Sequence, residues 1–183
     1  MLKKLIPNPT IRNIAEWVLA VAMAFILFLV VSNFVFKSAR VHGGSMSPTY
    51  INNDRVMVNR ISLRFREPAF GDIIAFPFAL DNSMNYIKRI AGVPGDEINI
   101  INGYIYRNGE RLNCPHIQGQ GDVFAGTATF PMTIPDNHFF VLGDNLPISE
   151  DSRFASVGNV YHGDIIGFVH FRWFPLNSFG RVQ

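Results

Sequence analysis

The chain has 183 residues, a hydrophobic fraction of 48% and a formal net charge of +2. Its length holds about one domain, and its apolar content is high for a purely soluble protein. Most of the excess positive charge sits at the N-terminus: residues 37–183 carry 13 of the 16 Lys and Arg and 13 of the 14 Asp and Glu, so they are formally neutral and lack the basic footprint of a nucleic-acid binder.

Between Glu16 and Lys37 runs "WVLAVAMAFILFLVVSNFVF", 20 residues without a charge. About 20 helical residues at about 1.5 Å each span a hydrocarbon core of about 30 Å, so this segment is predicted to cross a membrane once. Trp17 falls at the headgroup level, and Ser32 and Asn33 lie near the far end. A cleavable secretory signal, cut after Ala39, is the competing reading, but its apolar region would run about 7–15 residues, shorter than the one here. Lys3, Lys4 and Arg12 precede the span while Lys37 and Arg40 follow it, which favours a cytoplasmic N-terminus. The predicted organisation is therefore a short cytoplasmic segment over 1–13, a transmembrane anchor over 14–36 and an extracytoplasmic domain over 37–183. Cys114 is the single cysteine, so the domain contains no internal disulfide and depends on its core.

Beyond the anchor the apolar pattern changes from helical to strand-like. "RVMVNRI" alternates, "GDIIAFPF" is a short buried run, and "DEINIINGYIYRNGERL" reads as strand, Asn-Gly turn, strand, Asn-Gly turn. "HFFVLGDN" and "DIIGFVHFRWF" are further strands, rich in β-branched and aromatic residues. No helix of ten or more residues is predicted after the span. Residues 113–137 are the least regular stretch, a loop or insertion. The expected fold is mostly β, a folded-over, barrel-like antiparallel sheet behind one N-terminal transmembrane helix.

The residues exclude several chemistries. There is no Cys pair and no H-E-x-x-H, so no metal is predicted, and "GVPGDEI" lacks both the dinucleotide and the P-loop glycine patterns. No cofactor is expected. "GGSMSPTY", Gly43 to Tyr50, places Ser45 close behind the span, but the nucleophile-elbow pattern G-x-S-x-G breaks at Ser47. The domain has two lysines, Lys37 beside the anchor and Lys88 in "NYIKRIAGVPGD". On a strand, Tyr86, Lys88 and Ile90 share one face and Ile87 and Arg89 the other. Desolvation there would lower the Lys88 pKa; half-neutrality at pH 7 needs a fall of about 3.4 from about 10.4. The alternative is a lysine that snorkels its amine to water, and a Gly-Gly-Ser that merely turns the chain. Spacing alone leaves both open.

Taken in order, these segments resemble the bacterial type I signal peptidases, the membrane-anchored serine-lysine peptidases of family S26. "GGSMSPTY" is similar to the family's nucleophile box, "NNDRVMVNR" to the box after it, "NYIKRIAGVPGDEI" to the general-base region, and "LGDNLPISEDSR" to the closing box. The resemblance implies Ser45 as nucleophile, Lys88 as general base and Ser149 as a hydrogen-bond partner of the lysine. It implies Asp144, Asp151 and Arg153 as bracing residues, the last two as an ion pair, and Val41, Met46, Tyr50, Tyr86 and Ile87 as pocket walls for small substrate side chains. The Ser45 N–H is the first oxyanion donor, and the second, near Gly43, stays open. The implied reaction is removal of signal peptides from exported preproteins through an acyl-enzyme, at the cytoplasmic membrane of a bacterium. Signal peptides and the lipid bilayer are the implied partners. From Phe36 to Ser45 the chain extends at most about 30 Å, which keeps the serine near the membrane. Two alternatives share the fold: a dedicated processing peptidase of a conjugation system, and a tethered homologue that binds peptides without cutting them.

Overall fold

The uncharged run from Trp17 lies in one helix, α1 (Pro9–Val35, 27 residues), in a computed structural model that describes residues 9–78 and 81–182. Lys3 and Lys4, on which the expected orientation leans, fall outside the described residues. The helix starts ahead of the anchor predicted at residue 14. Proline is tolerated at a first helical position because its missing N–H would be unpaired there anyway. At 27 residues α1 is about 40 Å long. Over Pro9–Leu29 it is long and apolar enough to cross a membrane, and its large side chains, among them Trp17, Val21, Phe25 and Phe28, are exposed. The chain divides between Phe36 and Lys37 into two compact units.

The described residues of the second unit contain strands and short 3-10 turns. The strands are β1 (Phe36–Arg40), β2 (Arg55–Asn59), β3 (Ile73–Phe78), β4 (Asp81–Gly92), β5 (Glu97–Ile101), β6 (Tyr104–Arg107), β7 (Glu110–Arg111), β8 (Met132–Thr133), β9 (His138–Leu142), β10 (Val160–Tyr161), β11 (Gly167–Phe174) and β12 (Gly180–Arg181). One sheet runs β1-β2-β11-β3-β4-β9-β10, with β12 added to β11; the other runs β7-β6-β5-β8. The mostly β, antiparallel expectation is met. The large sheet ends at β1 on one side and β10 on the other, so it is open rather than closed into a barrel. Register shifts in β11, β3 and β4 bend it.

Both Asn-Gly pairs make the predicted turns. Asn102 and Gly103 have φ of 49° and 76°, Asn108 and Gly109 of 54° and 79°. Two consecutive left-handed residues match the right-handed twist of the strands they join, so β5, β6 and β7 form a meander.

The apolar runs read as buried strands have core on both faces. In β3, Ile73 and Ala75 pack with Val41, Met46, Tyr50 and Val58, while Ile74 and Phe76 pack with Ile90, Phe139, Val141 and Phe168 on the other side. In β9, Phe139 and Val141 join that second cluster, and Phe140 and Leu142 face a third made with Ile98 and Ile105 of the small sheet. The stretch 113–137, expected to be irregular, holds only the two-residue β8, yet Cys114, Ile117, Val123 and Ile134 cap this third cluster. Its order comes from burial rather than from backbone ladders. Phe140 is fully buried there with Phe130 edge-on against it at 6.1 Å. Phe140→Ala is expected to cost about 3–5 kcal/mol, read as a lower midpoint in chemical unfolding of the detergent-solubilised chain.

Candidate active site

The alternation of β4 decides what reaches the site. Tyr86, Ile87, Lys88 and Arg89 stand opposite Phe76, Ala75, Ile74 and Ile73 of β3. Lys88 is 3% exposed. Its Nζ donates to Ser149 Oγ at 3.2 Å and lies 5.3 Å from the centre of the Tyr86 ring. Arg89 points the other way, where Nε and Nη2 donate to the two Asp144 oxygens at 2.8 and 2.7 Å and Nη1 to the Gly71 carbonyl at 2.8 Å.

Ser149 arrives beside Lys88 because β9 pairs with Arg89–Gly92 of β4. The chain leaving Leu142 passes Gly143, Asp144 and Asn145 and makes a 3-10 turn, Leu146–Ile148, opened by a proline near its start. Arg153 holds that turn from beneath. It is paired with Asp151 at 2.7 and 2.9 Å and also donates to the carbonyls of Leu146 and Ser149 at 2.8 and 3.0 Å. Asp151 in turn accepts from the Gly143 N–H at 3.2 Å. Only glycine fits at 143: a Cβ there would collide with Ser149 Oγ and with the carbonyl oxygen of Ser45.

The serine loop is fixed from the same side. Asn145 donates its backbone N–H to the Ser45 carbonyl at 3.0 Å and its side-chain amide to the Gly44 carbonyl at 3.3 Å. Thr49 donates its hydroxyl to Asp144, so the loop is tied through Asp144 to Arg89 on the lysine's own strand. Gly43 takes a φ of 81°, in the left-handed region that favours glycine, and its N–H donates to Asn52 Oδ1 at 3.2 Å. The Ser45 N–H donates to no acceptor among the described residues.

Ser45 and Lys88 line one cavity of about 250 Å³ with Val41, Met46, Tyr86 and Ile87. No hydrogen bond joins Ser45 Oγ to Lys88 Nζ among the described residues; the lysine is held by Ser149 instead. Burial lowers the Lys88 pKa from 10.5 to about 8, against the pull of Asp151 and, more weakly, of Glu150 and Asp144; Arg153 adds to the lowering. Asp151, Glu150 and Asp144 hold the value above what burial alone would give.

Tyr50 departs from its expected place. It does not line the cavity, being fully buried in the core with its hydroxyl donating to the Val169 carbonyl at 3.3 Å, and burial raises its pKa well above the usual phenol value. The turn closed by the Tyr50 N–H on the Met46 carbonyl turns Met46 to the cavity and Tyr50 into the sheet interior. Arg89, Thr49, Asn145 and Glu150 belong to the site and were not singled out from sequence. Arg89 had a usable signal, since a strand arginine placed on a core face requires a buried carboxylate. Among the described residues no group of three His, Cys, Asp or Glu is placed to hold a metal.

The antiparallel β domain brings a serine and a desolvated lysine into one cleft. The sequence matches the family described as "Signal peptidase, peptidase S26" over residues 14–174. It is 31% identical to signal peptidase IB of Staphylococcus aureus (strain COL), over 92% of this chain and 93% of that protein. It is 35% identical to signal peptidase I S of Bacillus subtilis (strain 168), over 94% and 95%. A crystal structure of a signal peptidase I from Enterococcus faecalis V583 aligns with a TM-score of 0.47 and 29% identity, over 56% of this chain and 97% of that one. The chain belongs to the signal peptidase family, peptidase S26, and is a serine peptidase.

Arg153 and Asp151 are both almost wholly inaccessible. Removing one partner strands the other charge in the interior, which costs about 3–5 kcal/mol. Arg153→Met is expected to lower stability by that amount, measured by chemical unfolding.

Proposed function

We propose that the chain is a membrane-anchored endopeptidase that removes N-terminal signal peptides from exported preproteins, with Ser45 as nucleophile and Lys88 as general base. The observation that carries this reading is that both residues line one cavity while the buried lysine's hydrogen-bond partner is a neutral hydroxyl, Ser149, and not a carboxylate. A carboxylate partner would keep the amine charged and unable to accept a proton.

In the proposed reaction neutral Lys88 accepts the Ser45 hydroxyl proton as Oγ bonds to the scissile carbonyl carbon. The resulting oxyanion is met by the Ser45 N–H, which is unengaged in the free protein. As the intermediate collapses, the C–N bond breaks and the leaving amine takes the proton from Lys88. Water then gives a proton to Lys88 and attacks the acyl carbon; the ester bond to Ser45 breaks, Lys88 returns its proton to Ser45 Oγ, and the new carboxyl end is released. Ser149 positions the amine for these proton transfers.

Substrate size follows from the walls. A second cavity of about 440 Å³ shares Tyr86 and Ile87 with the first and is lined by Ala39, Val58, Ala75 and Ile166. An extended peptide crossing both would present alternate side chains to shallow apolar recesses, which suits small residues. The anchor reading rests on the length and composition of α1 and on the family match, which begins at residue 14, inside that helix. The bacterial relatives suit a cytoplasmic membrane with the catalytic unit on its outer side.

Ser45→Ala and Lys88→Ala are each expected to lower preprotein cleavage in detergent by at least about a thousandfold, from loss of the nucleophile or its base; full activity in either variant excludes the dyad. With the Lys88 pKa at about 8, the neutral form falls about tenfold per pH unit below that value. The specific activity kcat/KM should therefore rise from pH 6 to about 8 and level off above it. A profile still climbing steeply near pH 10 would rule out a desolvated Lys88 as the base.

A further inference from the structure

The lining of the proposed catalytic cavity carries a charge that the proposed chemistry does not use. Glu150 lines the cavity with Ser45 and Lys88. Its two carboxylate oxygens accept from the Tyr86 hydroxyl at 3.0 Å and from the Ser156 hydroxyl at 2.9 Å. Both donors are neutral, and no cation pairs with Glu150 among the described residues. The other acids of the site differ: Asp144 is neutralised by Arg89 and Asp151 by Arg153. Glu150 thus has no ion-pair partner, though its field also reaches Lys88 and favours the ammonium.

That carboxylate is also held in place. Tyr86 is stacked on Phe78 with ring centres 4.5 Å apart and meets Phe76 edge-on at 6.2 Å. Burial and the Glu150 carboxylate push its pKa up to about 12, so the hydroxyl stays a donor throughout any working pH. A negative charge fixed by two hydroxyls at the edge of a cleft is preorganised to meet a cation without ordering a flexible side chain first. The basic side chains that line the same cavity are Arg40, His42 and Lys88 itself.

We propose that Glu150 is a specificity-determining residue that favours peptides carrying a cationic side chain where the bound chain passes this wall, and disfavours those carrying a carboxylate there. The inference rests on the peptidase reading above and adds a charge preference to its expected preference for small residues. A residue that only latches Tyr86 would have no such effect, because a glutamine can accept one of these bonds on its carbonyl oxygen and donate its amide N–H to the other hydroxyl, keeping the latch without the charge.

The test uses the full-length chain in detergent and a set of peptides identical except for one residue. Lysine, glutamine or glutamate is placed at each position flanking the scissile bond in turn, and kcat/KM is measured for wild type, Glu150→Gln and Glu150→Lys. At one position the wild-type ratio of lysine to glutamate peptide should be about 3–10, the size expected of a partly exposed ion pair and its repulsive counterpart. Glu150→Gln should bring that ratio to about one and Glu150→Lys should invert it, with the glutamine peptide cleaved by all three. Taking the ratio at fixed pH cancels any change in Lys88 basicity. If the glutamine peptides are cleaved but no position shows a ratio that responds to residue 150, the inference is overturned while the peptidase reading stands. If the wild type cleaves none of the peptides, the peptidase reading fails and takes the inference with it.

Discussion

An ammonium group moved from water into a protein interior loses solvation worth several kcal/mol, and the neighbourhood of Lys88 makes that loss fall on the charged form alone. The amine sits against Tyr86 and donates to the Ser149 hydroxyl. Three carboxylates stand near enough to oppose this, and two of them, Asp144 and Asp151, are buried. Either Asp144 or Asp151, left unpaired, would become a counterion and restore the lysine's ordinary basicity. Each is instead occupied by an arginine, Arg89 or Arg153, in a two-bond pair buried with it. The ion pairs brace the loops, and Arg153 also offsets part of the pull that Asp151 exerts on the lysine.

The strand that carries Lys88 can do this because both of its faces are committed. One side of β4 gives Ile90 to a core with Ile74 and Phe168, and Ile87, from the other, packs on a core with Val41 and Met46. Tyr86 and Lys88 stand at the end of the first face, where core gives way to cavity, and Arg89 turns to the partner loop. A shift of one residue in the β3–β4 register would bury Arg89 where Lys88 belongs and remove Asp144's partner. The register is held by the alternation of large apolar side chains in β3, so the placement of the amine depends on packing well away from it.

What could be read without coordinates was local. Strands β2, β3, β5, β6, β9 and β11 follow from short apolar periods, and both hairpin turns follow from Asn-Gly, because these signals need only neighbouring residues. The path of the sheet did not follow: β11 lies between β2 and β3, and β9 beside β4, through pairings made across long stretches of chain. For the same reason Lys88 could be placed on a strand face, but the groups that govern its basicity could not. Asn145 lay inside the closing-box resemblance, but its task, a hydrogen bond to a carbonyl 101 residues earlier, could not be read from that stretch. Tyr50 was misplaced because a motif resemblance carries a residue's position and not the direction of its side chain. The open edges of the sheet likewise reflect long-range closure, which composition does not encode.

The reach of Asn145 has a consequence in time. Its bonds to Gly44 and Ser45 join the early part of the catalytic unit to a late part, as does the bond from Lys88 to Ser149 across 61 residues. Contacts of such separation close late, after the chain between them has been ordered. A chain not yet folded beyond β4 would have Ser45 and Lys88 but neither the turn that carries Ser149 nor the hold on the serine loop. With the proposed dyad, hydrolytic competence would appear only when β9 docks on β4, so the chain's own unfolded segments would be past the stage at which they could be cut.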